Sequence, residues 1–392
     1  MFDRLPDRRK AASRILAVAS LLWLAACDPG GLLGGATDSG PQVDPNAPVQ
    51  VALLVPGNTG NPGDGILSRD LENAARLAIA DLDGPQIDLR VYSTGTDAGA
   101  IATRAANEGA QIILGPLRGE QANAAGLALA GTDINILAFT NNSTVAGGNV
   151  FVLGPTFRNT AERLVRYGTA TGIADYAIVH GDDLQGNVGR DAIASAVRAN
   201  GATLTGVYSY PLSQQGIVSS APSIANAIAA SGPGAVFLTG GVNADLPLIA
   251  TALPENGIDP AITRYMGLTR WDVAPQALSL PGLQGGLFTL PDQSTISRFE
   301  SRYAAAYGGQ PHVLAGLAYD GIAAIGALLA QGDSGALTRR SLTQAQGFQG
   351  TSGIFRLLPD GTNERGLAVA TIRNNQVVIL DAAPRSFGGQ GS

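Results

Sequence analysis

Cysteine, histidine and lysine are nearly absent from this chain of 392 residues. There is one cysteine, Cys27, there are two histidines, His180 and His312, and Lys10 is the single lysine. One cysteine excludes an internal disulfide and a zinc site built from cysteines. Neither histidine falls in an H-E-x-x-H or a G-x-S-x-G motif. Metal-dependent chemistry and Ser-His hydrolysis are poorly supported, and we predict no metal, no cofactor and no enzymatic activity.

Positive charge is also in short supply. The chain has 25 basic and 31 acidic residues, which gives a formal net charge of −6. No basic run follows the first 14 residues, so nucleic acid is not an expected partner. Glycine, by contrast, is abundant, with 52 residues, and 45% of the chain is apolar. This composition is typical of a folded protein with many loops, and the length predicts two domains or one two-lobed unit.

The first 26 residues have the parts of a bacterial export signal. Four arginines and Lys10 come first, and the apolar run 15–24 follows. This run is too short to span a membrane, which takes about 20 residues. The run ends in Leu-Ala-Ala-Cys at 24–27, which resembles the lipobox of bacterial lipoproteins. The resemblance implies that Cys27 is lipidated, and the alternative is an ordinary signal peptide with an incidental cysteine.

A lipidated Cys27 predicts a periplasmic protein that is anchored to a bacterial membrane, with inner and outer membrane both open. Residues 28–48 contain five glycines and four prolines and show no apolar periodicity. We therefore predict that residues 27–48 are the lipid anchor and a flexible tether.

From Val49 onward, short apolar strands alternate with helical patterns. The run 49–55 predicts a strand, and apolar residues recur at helical spacing between Leu67 and Leu82. Similar pairs follow as far as residue 267, with a pause at Gly154-Pro155. This alternation predicts an α/β fold with parallel sheets and right-handed crossovers, divided into two lobes. Three antiparallel strands are predicted near the end of the chain, at 353–357, 367–373 and 376–380.

Short motifs along this body resemble, in order, the leucine-binding family of type 1 periplasmic (solute-binding) proteins. The resemblance covers about residues 49–380 and implies two hinged lobes, each a parallel sheet flanked by helices, which the chain crosses three times. It also implies that a solute binds between the lobes and that no bond is made or broken. The motifs are Val51–Pro56, Ala75–Ala80, Ile113–Pro116, Ala318–Asp320, Gln349–Gly353 and Leu358–Gly361.

The family fold assigns each part of the body to a lobe. The first lobe is predicted to contain residues 49–154 and about 284–348. The second lobe is predicted to contain residues 155–283 and about 349–382, and residues 383–392 form a tail.

Two functions remain open at this point. The resemblance implies binding of a small amino-acid-like or amide solute for an ABC permease. Gly115-Pro116-Leu117 also resembles the penicillin-binding-protein activator branch of lipoproteins. That branch implies contact with a peptidoglycan synthase and a cleft that is closed or degenerate.

The resemblance implies ligand-binding residues in both lobes, at the carboxyl ends of the strands, where open α/β sheets bind ligands. In the first lobe, groups after the third and fourth strands would hold a ligand carboxylate. For the groups after the fourth strand the alternative is a polar turn, and for Arg118 after the third strand it is a solvated arginine. The candidates of the first lobe are Leu117, Arg118, Gly119, Thr140, Asn141, Asn142 and Ser143. Those of the second lobe are Leu184, Gly240, Gly241 and Thr269.

The chain departs from the family at both ends of this predicted site. Leu117-Arg118-Gly119 stands where relatives have a small hydroxyl pair, and Leu184 stands near the position of an aromatic residue. Asp182 and Asp183 are possible partners for a ligand ammonium group, or exposed loop acids. Tyr210, Tyr265 and Trp271 are predicted either to line the cleft or to pack in the core.

Overall fold

A computed structural model describes residues 39–57 and 60–387 of the chain. The predicted export signal, Cys27 and residues 28–38 of the predicted tether lie outside the described residues, as do residues 388–392 of the predicted tail. No helix within the described ranges is long and apolar enough to cross a membrane.

Five parallel strands form the sheet of the first lobe, in the spatial order β2-β1-β3-β4-β5. β1 is almost wholly apolar because both of its faces are covered: Val51 and Leu53 belong to one core cluster, and Ala52 and Leu54 to another. The strands are β1 (Val49–Val55), β2 (Ile87–Ser93), β3 (Ile112–Leu114), β4 (Asn135–Ala138) and β5 (Val150–Val152). The helices between them are α1 (Pro62–Ala80), α2 (Ala98–Asn107) and α3 (Gly119–Ala128), and a 3-10 turn covers Ser143–Val145.

Seven strands form the sheet of the second lobe, in the order β15-β14-β10-β9-β8-β6-β7. The strands are β6 (Asp175–Gly181), β7 (Thr203–Tyr210), β8 (Ala235–Leu238), β9 (Arg264–Gly267), β10 (Leu287–Leu290), β14 (Ala368–Arg373) and β15 (Gln376–Asp381). The helices are α4 (Phe157–Ala170), α5 (Leu184–Ala199), α6 (Gln214–Ser231), α7 (Leu246–Glu255) and α8 (Pro275–Leu278), with a 3-10 turn at Pro281–Leu283. β14 runs antiparallel to β10 and β15, and positive φ angles at Asn374 and Asn375 form the predicted hairpin turn.

The segment between β10 and β14 adds three helices and a small sheet to the first lobe. α10 packs against α1, and Phe348, Phe355 and Leu357 join the core of the first lobe. The elements are α9 (Gln293–Tyr307), α10 (Gly316–Leu329), α11 (Arg339–Leu342), β11 (Phe348–Gly350), β12 (Gly353–Leu357) and β13 (Asn363–Arg365). β12 pairs antiparallel with both neighbours, so the predicted strand 353–357 lies in this small sheet and not beside 367–373.

The chain crosses between the lobes three times, but two crossings come later than predicted. β10 lies within the sheet of the second lobe, so the chain leaves that lobe after residue 290 and not near 284. The small sheet belongs with the first lobe, so the chain returns after Arg365 and not near residue 349. Gly285 and Gly353, both at positive φ, turn the chain within a lobe, although each lies close to a predicted boundary.

The predicted tether and tail both contain residues that pack on the body. Val43 is buried in the core of the first lobe, and its N–H donates to the Ser334 carbonyl at 2.8 Å. Near the other end, the Arg356 guanidinium lies 4.7 Å from the centre of the Phe387 ring. Val43 is therefore not part of a flexible tether, and the tail is docked as far as Phe387. A single apolar residue produces no periodicity, which is why the sequence pattern missed both contacts.

Candidate functional site

A cavity of about 500 Å³, which we call the interlobe cavity, lies where the chain crosses between the lobes. Its volume is within the range of small-molecule sites, roughly 300–1,000 Å³. Each crossing contributes to its wall, through Pro155 and Thr156, Pro291, and Arg365 and Leu367. A ligand there would touch all three crossings at once, so its binding would be sensitive to the angle between the lobes.

Apolar surface makes up most of the wall of the interlobe cavity. Leu268 and Phe157 come from the second lobe, and Phe299 and Leu317 come from α9 and α10. The Phe299 ring packs edge-on against Tyr319, with centroids 5.5 Å apart, which fixes its orientation. A wall of this kind binds the apolar body of a ligand and leaves orientation to a small number of polar groups.

An ion pair lies deep in this cavity. Asp320 on α10 is fully buried, the Arg365 side chain is 4% exposed, and Arg365 Nη1 lies 3.5 Å from Asp320 Oδ2. The Thr351 N–H donates to Asp320 Oδ1 at 2.6 Å, and Arg365 donates to Ser352 Oγ at 3.1 Å and to the Leu153 carbonyl. Burial raises the pKa of Asp320 and lowers the pKa of Arg365. Removal from water therefore opposes both charges, and the pair depends on its hydrogen bonds.

Two local features hold this ion pair in place. A Cβ on Gly350 would lie 2.9 Å from the Asp320 carboxylate, so only glycine lets the carboxylate approach the backbone here. The Arg365 guanidinium also lies 5.3 Å from the centre of the Phe355 ring, a cation–π contact. Its Nε–H is buried and has no hydrogen-bond partner.

Hydrogen bonds join the first and third crossings beside the cavity. Asn363 donates through Nδ2 to the carbonyls of Val152 and Gly154, both at 2.8 Å. Asn159, in the first turn of α4, donates to the Asn363 carbonyl at 2.9 Å. These amides satisfy backbone groups that the interrupted strands leave unpaired, so the crossings are ordered rather than loose.

The loop before α10 forms another part of the wall, and Asp70 on α1 positions it. Asp70 is buried and accepts from the His312 N–H at 2.9 Å and from the Tyr303 hydroxyl at 3.1 Å. The Leu314 N–H in turn donates to His312 Nδ1 at 3.2 Å. The His312 ring thus accepts a hydrogen bond from the backbone of its own loop.

Two of the predicted site residues, Asn141 and Thr269, line the interlobe cavity. They come from opposite lobes, as predicted, and Thr269 donates to the carbonyl of predicted Gly240 at 3.2 Å. The Gly241 N–H donates to Asp245 at 2.8 Å, in the turn before α7. Binding by these four residues stays a prediction.

The other candidates of the first lobe lie at the ends of β3 and β4 but outside the cavity wall. Arg118 Nη2 contacts both oxygens of buried Asp64, at 2.9 and 2.7 Å. Arg118 was expected to bind the carboxylate of a ligand, and in this structure it binds the carboxylate of Asp64 instead. A Cβ on Gly119 would lie 3.0 Å from the Asn142 amide nitrogen, so these two sites are adjacent. The remaining candidates, outside the cavity wall as well, are Leu117, Thr140 and Ser143.

In the second lobe, Leu184 is 81% exposed and does not line the interlobe cavity. Neighbouring Asp183 caps α5, accepting from the Gly186 N–H at 2.7 Å. Tyr210, Tyr265 and Trp271 are fully buried in the core of the second lobe, so the core alternative is confirmed for all three.

Sequence reasoning did not identify Arg365 as a site residue, and it quoted Asp320 only as part of a motif. The two residues are 45 positions apart, and their contact depends on the small sheet returning to α10. A buried arginine within a strand gives no periodic signal of its role. The polar strand Asn363–Arg365, between two turns, was the one local hint.

The crossed, two-lobed architecture with a cavity at the crossings defines a hinged binding protein. The chain belongs to the periplasmic binding protein family, whose model matches residues 48–376. This match confirms the predicted fold and the resemblance to periplasmic binding proteins.

Solved structures share the fold at low sequence identity. A putative branched-chain amino acid ABC transporter protein from Rhodospirillum rubrum has a TM-score of 0.69 at 18% identity, covering 85% of this chain and all of that one. A substrate-binding protein from Desulfitobacterium hafniense in complex with Leu has a TM-score of 0.60 at 18% identity, with the same coverage. A solute-binding protein from R. palustris in complex with 4-hydroxybenzoate has a TM-score of 0.56 at 14% identity, covering 88% of this chain and 98% of that one.

A search of curated protein sequences gives no significant match. The activator hypothesis gains no support from the family match or from these three structures.

Proposed function

We propose that this protein binds a small, amino-acid-like or amide solute in the interlobe cavity and delivers it to an ABC permease. The observation that carries this proposal is the position of the cavity, which all three crossings line. Closure of the lobes would cover the solute, and its release would require opening. We further propose that Cys27 is lipidated and holds the protein at the periplasmic face of a membrane.

The wall of the cavity favours a ligand with an apolar body and a polar end. Phe157, Phe299 and Leu317 supply an apolar surface, whereas Asn141 and Thr269 offer an amide and a hydroxyl from opposite lobes. The ligands named for the two structural relatives above, leucine and 4-hydroxybenzoate, both combine an apolar body with a carboxylate. They are therefore the first two compounds to test.

The test is a ligand screen on the full-length protein, purified in detergent and refolded from denaturant to remove any carried solute. The panel contains amino acids, their amides, hydroxybenzoates and muropeptides. A ligand at about 100 times its Kd stabilises the folded state by about 2.7 kcal/mol, which raises Tm by several degrees. A well-folded protein with no shift for any compound would contradict solute binding for this panel.

A matched pair of variants locates the binding. Thr269→Trp places a large ring at the cavity wall, and we expect it to weaken binding at least about tenfold by occupying the ligand's volume. Leu184→Trp adds a similar ring at an exposed position outside the wall and should leave affinity unchanged. Calorimetric titration measures both. Equal losses would place the ligand elsewhere than in the interlobe cavity.

A further inference from the structure

A second recess lies next to the interlobe cavity and shares Asn159 and Arg365 with it. Its volume is about 730 Å³. One wall is α4 of the second lobe, another is formed by β12 and β13 of the small sheet, and the third is the C-terminal segment 381–387. We call this recess the arginine groove.

Positive charge dominates the arginine groove, although the chain as a whole is acidic. Five arginines line the groove and only three carboxylates do. One carboxylate, Glu162, is engaged by Arg158, which is not part of the wall, at 2.7 Å. The arginines are Arg163, Arg166, Arg356, Arg365 and Arg385, and the other carboxylates are Glu364 and Asp381. With a formal net charge of −6 over the chain, a local excess of cations requires a separate explanation.

Internal pairing uses three of these arginines and leaves two with free donors, since Arg365 pairs with buried Asp320 as described above. Arg163 pairs with Asp381 at 2.6 Å, and Arg356 pairs with Glu364 at 2.6 Å. Arg166 has only a 3.6 Å contact with Glu364. Arg385 attracts Asp292 from a distance but makes no direct hydrogen bond or ion pair within the described ranges. Each guanidinium has five N–H donors, so most of those on Arg166 and Arg385 are available.

A buried group points to a ligand independently of these exposed arginines. Arg365 is 7% exposed, lines the groove, and has a buried Nε–H without any partner. Buried donors are almost always satisfied, because a donor that makes no hydrogen bond is not compensated for its removal from water. Arg365 lines the groove as well as the interlobe cavity, and an acceptor that reached this N–H from the groove would remove the cost.

We propose that the arginine groove binds a free multivalent oxyanion of the phosphate type, distinct from the solute of the interlobe cavity. Guanidinium groups bind such oxyanions through paired, charge-assisted hydrogen bonds. The donors come from α4, from the small sheet and from the C-terminal segment. A bound anion therefore links the two lobes and favours the lobe angle at which all three walls reach it.

The test is a calorimetric titration of the full-length protein in detergent with inorganic pyrophosphate, at constant ionic strength maintained with sodium chloride. We expect saturable binding. The variant R166Q/R385Q removes the two arginines with free donors and should bind pyrophosphate about tenfold more weakly or worse. Both residues are exposed, so an unchanged Tm is expected and checks that the variant is folded.

The control is Arg264→Gln, which removes one charge at the exposed start of β9, outside the groove. Unchanged pyrophosphate affinity in this variant supports a defined site. Equal weakening by R264Q, or no saturable binding by the wild type, would overturn the proposal. Leucine and 4-hydroxybenzoate titrations on the same samples report on the interlobe cavity separately, so failure of one site does not count against the other.

Discussion

The interlobe cavity and the arginine groove share Arg365, yet they use charge in different ways. In the cavity, the only ion pair formed by two buried side chains among the described residues, Asp320–Arg365, has a separation of 3.5 Å. In the groove, Arg163–Asp381 is closer, at 2.6 Å, but the Asp381 side chain is 49% exposed. Losing a partner from the shorter contact is expected to cost less free energy. Water screens the exposed pair and solvates the charge that is left behind. Burial, more than distance, decides what the loss of a partner costs.

The largest expected effect is from Asp320→Asn. This change removes the carboxylate and leaves the buried Arg365 guanidinium without a counter-charge. Loss of one partner from a buried pair costs about 3–5 kcal/mol. Urea unfolding of the variant and the wild type measures the difference in the free energy of unfolding.

The matched change in the groove is Asp381→Asn, which also removes one carboxylate from an arginine. Its cost should be about 1 kcal/mol or less, because the pair is exposed. Similar costs for D320N and D381N would break the comparison, since burial would then not separate the two pairs.

An effect smaller than that of D320N is expected from Gly350→Ala. The new methyl group would lie 2.9 Å from the Asp320 carboxylate, which is held by Thr351 and Arg365 and has little room to move. Overpacking of this kind costs about 1–3 kcal/mol. Gly309→Ala is the control, because no atom lies within 4 Å of its added Cβ. Equal stability of G350A and G309A in urea would show that the carboxylate can shift.

An effect of about 1 kcal/mol is expected from Asp292→Ala, at the partly buried start of α9. Hydrogen bonds from the Ser294 hydroxyl and backbone, with attraction from Arg385, lower the pKa of Asp292 despite partial burial. As the N-cap of α9, Asp292 contributes about 1 kcal/mol. A lowered pKa gives stability that is present above the unfolded-state value of about 3.9 and is lost as pH falls through the folded-state value.

Unfolding measured at neutral pH and in acid tests this dependence. The difference between the wild type and D292A should be full near pH 7 and should shrink below about pH 4. Asp292→Asn is the control, because an asparagine N-cap keeps the hydrogen bonds without the charge. A constant difference between D292A and the wild type across this range would show that the carboxylate charge has no part in the cap.

The fold was largely predictable because its signals are local. The apolar run of β1 and the Asn374-Asn375 turn each give their structure from a few adjacent residues. The lobe boundaries near 284 and 349 were wrong because β10 and the small sheet depend on pairing partners far along the chain. Val43 was missed for a related reason, since burial of one residue in a polar segment has no pattern.

The site was only partly predictable. The family resemblance indicated Asn141 and Thr269, which follow strands in opposite lobes, and both line the cavity. Arg365 and Asp320 meet through a three-stranded sheet whose position no local pattern specifies. Leu184 was chosen by analogy with an aromatic residue of the family. It is exposed to solvent and does not line the interlobe cavity. Loops at strand ends are easy to recognise, but which of them converge depends on the path of the chain between lobes.

The insertion of β14 between β10 and β15 has a consequence for how the protein comes into being. During synthesis, the sheet of the second lobe lacks at least one of its seven strands until residue 381 has emerged. The first lobe likewise waits for α10 to cover α1. Such long-range closure makes folding slow. The sheet of the second lobe can therefore close only when nearly the whole chain has been made.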